Sequence, residues 1–125
     1  MAGPVYFSAD AYEAMHAQVR RSGNEECCGA LVGEQAIERI IPLANEAGDR
    51  QASFAISPRA LFELERTMPV AGFYHSHPNG TSVPSRRDLE FAWPGYVYVI
   101  VGHAIRAWKL EPDGTNFREL PVVVQ

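Results

Sequence analysis

Gly72-Phe73-Tyr74-His75-Ser76-His77-Pro78-Asn79-Gly80-Thr81-Ser82-Val83-Pro84-Ser85-Arg86-Arg87-Asp88 is the stretch around which the chain is organised. The apolar run from Val70 to Tyr74 leads into it and reads as a strand continuing to His77. Side chains at i and i+2 of a strand share a face, so the imidazoles of His75 and His77 can point at one spot. Pro78 to Pro84 is rich in turn formers. Ser85-Arg86-Arg87-Asp88 then opens a segment that reads as a helix. Folding the loop back would bring Asp88 to the histidines. Two imidazoles and a carboxylate, with a fourth position left for water, is the usual composition of a catalytic zinc site. Each part also has an ordinary alternative. Two histidines can alternate along a strand without a shared task. Ser85-x-x-Asp88 resembles a capping box, with the serine as cap and an acid favoured by the helix dipole. The two readings of Asp88 are compatible, because the first turn of a helix holds a side chain rigidly.

The bulk properties narrow the function classes. At 125 residues the chain is read as one domain, 1–125, long enough to bury a core. Its 46% hydrophobic and 21% charged residues are those of an ordinary globular protein. A formal charge of −4 argues against a nucleic-acid binder that works by neutralising phosphates. Arg20-Arg21 and Arg86-Arg87 are local pairs, not a basic stripe. No apolar run reaches the eighteen or so residues of a membrane span, and the N-terminus lacks the pattern of a secretory signal. A cytoplasmic protein with neither membrane nor nucleic-acid partner is the expectation. The two cysteines, Cys27 and Cys28, are adjacent, and disulfide geometry strains a single peptide unit. They are expected as reduced thiols facing opposite sides of an extended segment, one of them in the core.

Along the chain, Val5 to Phe7 is a short apolar start. Ser8 caps a helix to about Ser22, with Tyr12, Met15 and Val19 as its apolar stripe and Gly23 as its stop. Cys27 to Val32 reads as a strand and Ala36 to Leu43 as its hairpin partner. Ala44 to Arg50 reads as polar loop and Ala52 to Ile56 as a short strand. Ser57-Pro58 starts a second helix, with Leu61, Leu64 and Met68 as its stripe and Pro69 as its end. A third helix is expected over Ser85 to Trp93, strands over Tyr96 to Val101 and Ala104 to Leu110, and one last strand over Asn116 to Val124. The sum is an α+β protein, an α/β/α sandwich with a mixed, mostly antiparallel β-sheet flanked by helices.

A hydrolytic zinc site also needs a base for the attacking water, commonly a carboxylate that does not itself hold the metal. Residue types alone leave Glu25, Glu26, Glu46, Glu63, Glu65 and Glu90 open. Glu90 is nearest in sequence to the site. Glu25-Glu26 has the odder context, a charge pair at the mouth of a small-residue apolar strand. Cys28 as a nucleophile would need a histidine partner and a lowered pKa, and neither His16 nor His103 offers such a hint. Trp93, Trp108 and the tyrosines read as core or rim.

His75-Ser-His77, seven residues, then Ser85-x-x-Asp88 resembles the H-x-H-x7-S-x2-D signature of the JAMM (MPN+) metalloproteases, the zinc isopeptidases of the ubiquitin system and their prokaryotic relatives. Glu26-Cys27-Cys28-Gly29-Ala30-Leu31-Val32-Gly33 resembles the same family's E-x-C-G-x-L-x-G segment, although Asn24 stands where the family often has proline. The resemblance covers roughly residues 5 to 110. It implies the JAMM/MPN fold, which is cytidine-deaminase-like; the deaminases' own H-x-E and P-C-x-x-C pattern is absent here. It implies Zn²⁺ held by His75, His77 and Asp88, Glu26 as general base and then acid, and Ser85 as a hydrogen-bond donor to the tetrahedral oxyanion. The short form with Tyr-His-Ser-His-Pro-Asn-Gly is most similar to stand-alone bacterial members. These act on small β-grasp, ubiquitin-like sulfur-carrier proteins, cleaving after a C-terminal Gly-Gly tail and releasing cysteine or a C-terminal extension. The alternative is a catalytically silent protein-interaction module of the same fold. Relatives of that kind have lost some of the five residues that are all present here. Exposed strand edges leave room for a homodimer.

Overall fold

The structure is a computed structural model that describes residues 3–45, 56–90 and 92–125. Of the expected strand over Ala52 to Ile56 all but Ile56 lies outside the described residues, as do most of the loop before it and Glu46.

Among the described residues six strands form the main sheet: β2 (Cys28–Val32), β3 (Arg39–Leu43), β4 (Val70–Ser76), β5 (Val97–Val101), β6 (Ile105–Leu110) and β7 (Phe117–Leu120), in spatial order β3-β2-β4-β5-β6-β7. Only the β4/β5 pair is parallel; the other neighbours are antiparallel. The sheet is thus mixed and mostly antiparallel, as the sequence pattern implies. The parallel pair needs a crossover, and the segment carrying Ser85 and Asp88 supplies it.

Helices cover both faces. α1 (Ala9–Ser22) starts at Ser8, whose Oγ accepts the Ala11 N–H at 3.1 Å. Its stripe of Tyr12, Met15 and Val19 packs with Phe7, Leu31, Tyr74 and Val99 on one face of the sheet. α2 (Pro58–Thr67), capped by Ser57, sends Leu61 and Leu64 to the other face, against Ala30, Phe73 and Tyr98. Met68 is not part of that helix. The proline that follows forces it into extended backbone, φ −139°, and its N–H closes the last turn on the Leu64 carbonyl.

Gly72 and Gly29 are among the glycines whose close approaches a side chain would block. A Cβ on Gly72 would stand 1.8 Å from the Val97 carbonyl oxygen, so β4 and β5 meet at that pair only with glycine. A Cβ on Gly29 would lie 2.3 Å from the hydroxyl oxygen of Tyr74, its cross-strand partner. That ring covers β2 and hydrogen-bonds Gln18 of α1, whose Nε2 donates to the Cys28 carbonyl at 3.4 Å. This contact accounts for glycine at position 29.

Three further expectations are corrected. The last strand is two: β7 stays in the main sheet, and β8 (Val122–Val124) runs parallel to β1 (Val5–Phe7) in a separate two-stranded sheet. Pro121 between them has no N–H for a ladder, and its carbonyl accepts the Val5 N–H at 2.8 Å. The hairpin partner of β2 begins at Arg39 rather than Ala36, because Ile37 exchanges hydrogen bonds with the β1 segment instead. The third helix, α3, spans only Arg86–Glu90. Beyond it the Trp93 N–H is taken by the Tyr98 hydroxyl at 2.7 Å rather than by a helix carbonyl.

Candidate metal centre

The site sits at one end of the sheet, where β4 runs out. His75 and His77 face the same side, with their Nε2 atoms 3.0 Å apart. Both are buried, at 1% and 8% exposure. The loop after them folds back as its turn formers require. The Gly80 N–H bonds the His77 carbonyl at 2.9 Å, and the His103 N–H bonds the Gly80 carbonyl at 2.7 Å. Trp108 Nε1 donates to the Ser82 carbonyl at 3.0 Å. These contacts tie the loop to the β5–β6 turn and deliver the start of α3 to the histidines.

There Ser85 and Asp88 form the reciprocal capping box. The Ser85 N–H donates to Asp88 Oδ2 at 2.8 Å, and the Asp88 N–H donates to Ser85 Oγ at 3.1 Å. The same carboxylate meets both imidazoles, Oδ1 at 3.3 Å from His75 Nε2 and Oδ2 at 3.3 Å from His77 Nε2. The cap and the site are one carboxylate.

Glu26 completes the cluster. The β2/β4 register pairs Cys28 with His75, so counting back along the antiparallel ladder sets Glu26 opposite His77. One carboxylate oxygen of Glu26 and one ring nitrogen from each histidine lie within 4.8 Å of one another. Glu26 is 8% exposed, whereas Glu25 is exposed, with its N–H on the Ser22 carbonyl. Of the other acids, Glu63 pairs with Arg66 at 3.7 Å and Glu65 hydrogen-bonds Tyr96, both on α2. Glu90 lines the same cavity as the histidines.

The donor set fits a cation. Four ligand atoms about 2.0–2.1 Å from a common tetrahedral centre stand about 3.3 Å apart. His75 Nε2 and His77 Nε2 stand 3.0 Å apart, and each lies 3.3 Å from a different oxygen of Asp88. Electrostatics divide the two histidines. Burial pushes His75 below its ordinary value, toward the neutral imidazole a metal requires. Burial also opposes protonation of His77, but the Asp88 hydrogen bond and charge, with Glu26 adding, move it up. Burial alone would raise Asp88; its hydrogen bonds to the two histidines, the charge of His75 and the Ser85 N–H hold it far below the usual carboxylate range.

The cluster opens into a cavity of about 940 Å³. Its polar end holds Glu26, His75, His77, Ser85 and Asp88, and its other wall is apolar, with Phe73, Tyr98, Phe117 and the half-exposed Trp93. The cysteines behave as bystanders. Both are buried, and burial, with Cys27 and Glu26 adding, pushes the Cys28 thiol up to about 12. His16 meets Tyr12 edge-to-face instead of approaching it. Sequence reasoning passed over Ser76 and Asn45, whose hydrogen bonds close around Glu26. Their only sequence signal is position, one between the two histidines and one just past the end of β3.

Residues 8–111 match the family described as prokaryotic homologs of the JAB domain. The chain belongs to that family. Its JAB-domain relatives include a protein named desampylase from Haloferax volcanii, 34% identical, with 94% of each chain covered. A probable TtuB-protein conjugate cleaving protease from Thermus thermophilus is 33% identical, covering 96% of this chain and 82% of that protein. A CysO-cysteine peptidase from Mycobacterium tuberculosis is 30% identical, covering 98% and 96%. Among solved structures, a solution structure from Desulfitobacterium hafniense superposes with a TM-score of 0.82 at 23% identity, over 97% of this chain and 92% of that one. A JAB1/MPN domain protein from Archaeoglobus fulgidus gives 0.64 at 20% identity, over 96% and 98%. These likenesses establish the JAB/MPN fold. Among the described residues no helix is long and apolar enough to cross a membrane.

Proposed function

We propose that this JAB-domain chain is a zinc-dependent peptidase or isopeptidase. Its substrate is a small ubiquitin-like sulfur carrier of the β-grasp type, cut after its C-terminal Gly-Gly to release cysteine or a C-terminal extension. The observation that carries the reading is the convergence of a buried acid, Glu26, on the His75–His77–Asp88 cluster at the mouth of a large cavity. The substrate class rests on the relatives, whose names describe a conjugate-cleaving protease and a CysO-cysteine peptidase.

His75, His77 and Asp88 would hold the zinc, which when bound supplies Lewis acidity and a water of lowered pKa. Glu26 accepts the proton of the attacking water and returns it to the leaving amine. Its burial beside the cluster keeps that proton within the site. Ser85 Oγ accepts the Asp88 N–H and still carries its own hydrogen, which it donates to the developing oxyanion. Phe73 and Tyr98 give the same cavity an apolar wall. An extended Gly-Gly tail brings no side chain to the scissile bond, so its backbone can come close to the cluster.

The test is to incubate the zinc-loaded protein with β-grasp carriers ending in Gly-Gly, extended by cysteine, a peptide or a lysine-linked protein, and to read product masses. Cleavage after the second glycine, lost in Glu26→Ala, is expected. Bound zinc with no turnover on any such carrier would leave a silent interaction module.

A further inference from the structure

The peptide group that joins Glu26 to Cys27 is gripped from both sides by side chains. Its carbonyl, on Glu26, accepts Asn45 Nδ2 at 2.7 Å. Its N–H, on Cys27, donates to Ser76 Oγ at 3.0 Å. These two bonds stand where both backbone ladders of β2 end. On the β3 side the last paired residues are Cys28 and Leu43, and the next rungs set Glu26 opposite Asn45. On the β4 side the last paired residues are Cys28 and His75, and the next rung sets Cys27 opposite Ser76.

At that rung the Ser76 N–H still bonds the Cys27 carbonyl at 3.0 Å. The return bond, which a regular antiparallel pair makes to the partner's carbonyl, goes to the Ser76 hydroxyl. Side chains therefore extend the sheet by one peptide exactly where a strand end would fray. Ser76 sits between His75 and His77 and points to the opposite face of β4. It is 3% exposed, in a setting where an unpaired hydroxyl is disfavoured.

We infer that Ser76 and Asn45 are positioning residues. By clamping the Glu26–Cys27 peptide they fix where the Glu26 carboxylate stands relative to His75 and His77. The inference rests on the proposed role of Glu26. A base displaced by an ångström loses much of its effect, while the histidines and Asp88 are held by other bonds. The clamp therefore acts on turnover and not on metal retention.

The experiment uses the zinc-loaded full chain, a Gly-Gly carrier extended by a peptide, and the variants Ser76→Ala, Ser76→Thr, Asn45→Ala and Glu26→Ala. Ser76→Ala and Asn45→Ala are expected to lower kcat by about 10- to 100-fold, with KM and zinc stoichiometry unchanged. Ser76→Thr, which keeps the hydroxyl, is expected to restore most of kcat. Amide hydrogen exchange on the metal-free protein gives an independent readout: the Cys27 N–H is protected in the wild type and in Ser76→Thr, and exposed in Ser76→Ala. Wild-type kcat in both alanine variants, with Glu26→Ala inactive, overturns the inference and leaves the proposed function standing. An active Glu26→Ala overturns both. An unprotected Cys27 amide in the wild type removes the clamp whatever the substrate.

Discussion

Ser85 and Asp88 hold each other by two hydrogen bonds, 2.8 and 3.1 Å, while the Asp88 carboxylate also reaches the two imidazoles at 3.3 Å. One pair of residues thus starts a helix and carries a carboxylate to the two histidines. Ser85→Ala is expected to cost about 0.5–2 kcal/mol of stability, the usual effect of losing an N-cap. It should also lower kcat more than that stability loss explains, because the donor to the oxyanion goes with it. Thermal melts and steady-state kinetics on the same preparation separate the two. A variant that melts earlier but keeps wild-type kcat would reduce Ser85 to a cap.

Removal of the metal should stop hydrolysis, and one equivalent of Zn²⁺ should restore it. His77→Ala and Asp88→Ala should lose zinc at stoichiometric concentration, since each leaves too few donors for a closed set. Glu26→Gln should retain zinc and lose turnover on the order of 10²-fold or more. Metal analysis after gel filtration checks all three, and a zinc-free Glu26→Gln would mean that Glu26 is a ligand.

The metal-free protein should titrate in opposite directions at its two histidines. His75 is held below 6.5 because it is buried, so the fold loses stability as pH falls below 6.5 toward its lowered pKa. His77 is raised above 6.5, burial being outweighed by Asp88 and Glu26. Its contribution is fully present below 6.5 and is lost as pH rises through the raised value. Asp88→Asn removes the main upward influence, and His77 should then titrate at a lower pH. Residue-resolved NMR of the imidazole protons reads this directly; an unmoved His77 would argue against the Asp88 contact.

Alkylation should leave the enzyme active. A thiol pushed up to about 12 stays protonated at neutral pH, and Cys28 is fully buried. Iodoacetamide treatment of the native protein, followed by the carrier assay, checks it. Stoichiometric inactivation would reopen a cysteine mechanism.

Gly29→Ala and Gly72→Ala should both destabilise the sheet, Gly72→Ala more severely. At Gly72 the new methyl meets backbone, the Val97 carbonyl, which cannot turn aside. At Gly29 it meets the buried ring of Tyr74, and overpacking of this kind costs about 1–3 kcal/mol. Denaturant unfolding ranks the two, and equal midpoints would contradict the difference.

Local pattern carried a good part of this protein. The stripe of Tyr12, Met15 and Val19 was legible because helix periodicity repeats within a few residues. His75, His77 and Asp88 were legible together because a strand, a turn-rich loop and a helix cap follow one another over fourteen residues. The division of the final strand at Pro121 was less so. Residues 116–124 read as one β-prone run, and only the pairing partners, β6 for one half and β1 for the other, separate them.

The sequence by itself determined the three candidate ligands, the capping box and the family resemblance, all of which depend on short-range spacing. Tertiary structure decided which acid joins them. Glu25 and Glu26 are neighbours, and Glu26 lies forty-nine residues before His75. The register of β2 against β4 is what buries Glu26 and leaves Glu25 exposed. A slip of one residue would exchange them, because successive side chains of a strand face opposite ways. That register is held by cross-strand bonds, those of Ser76 to Cys27 among them, and no local run of residues encodes it.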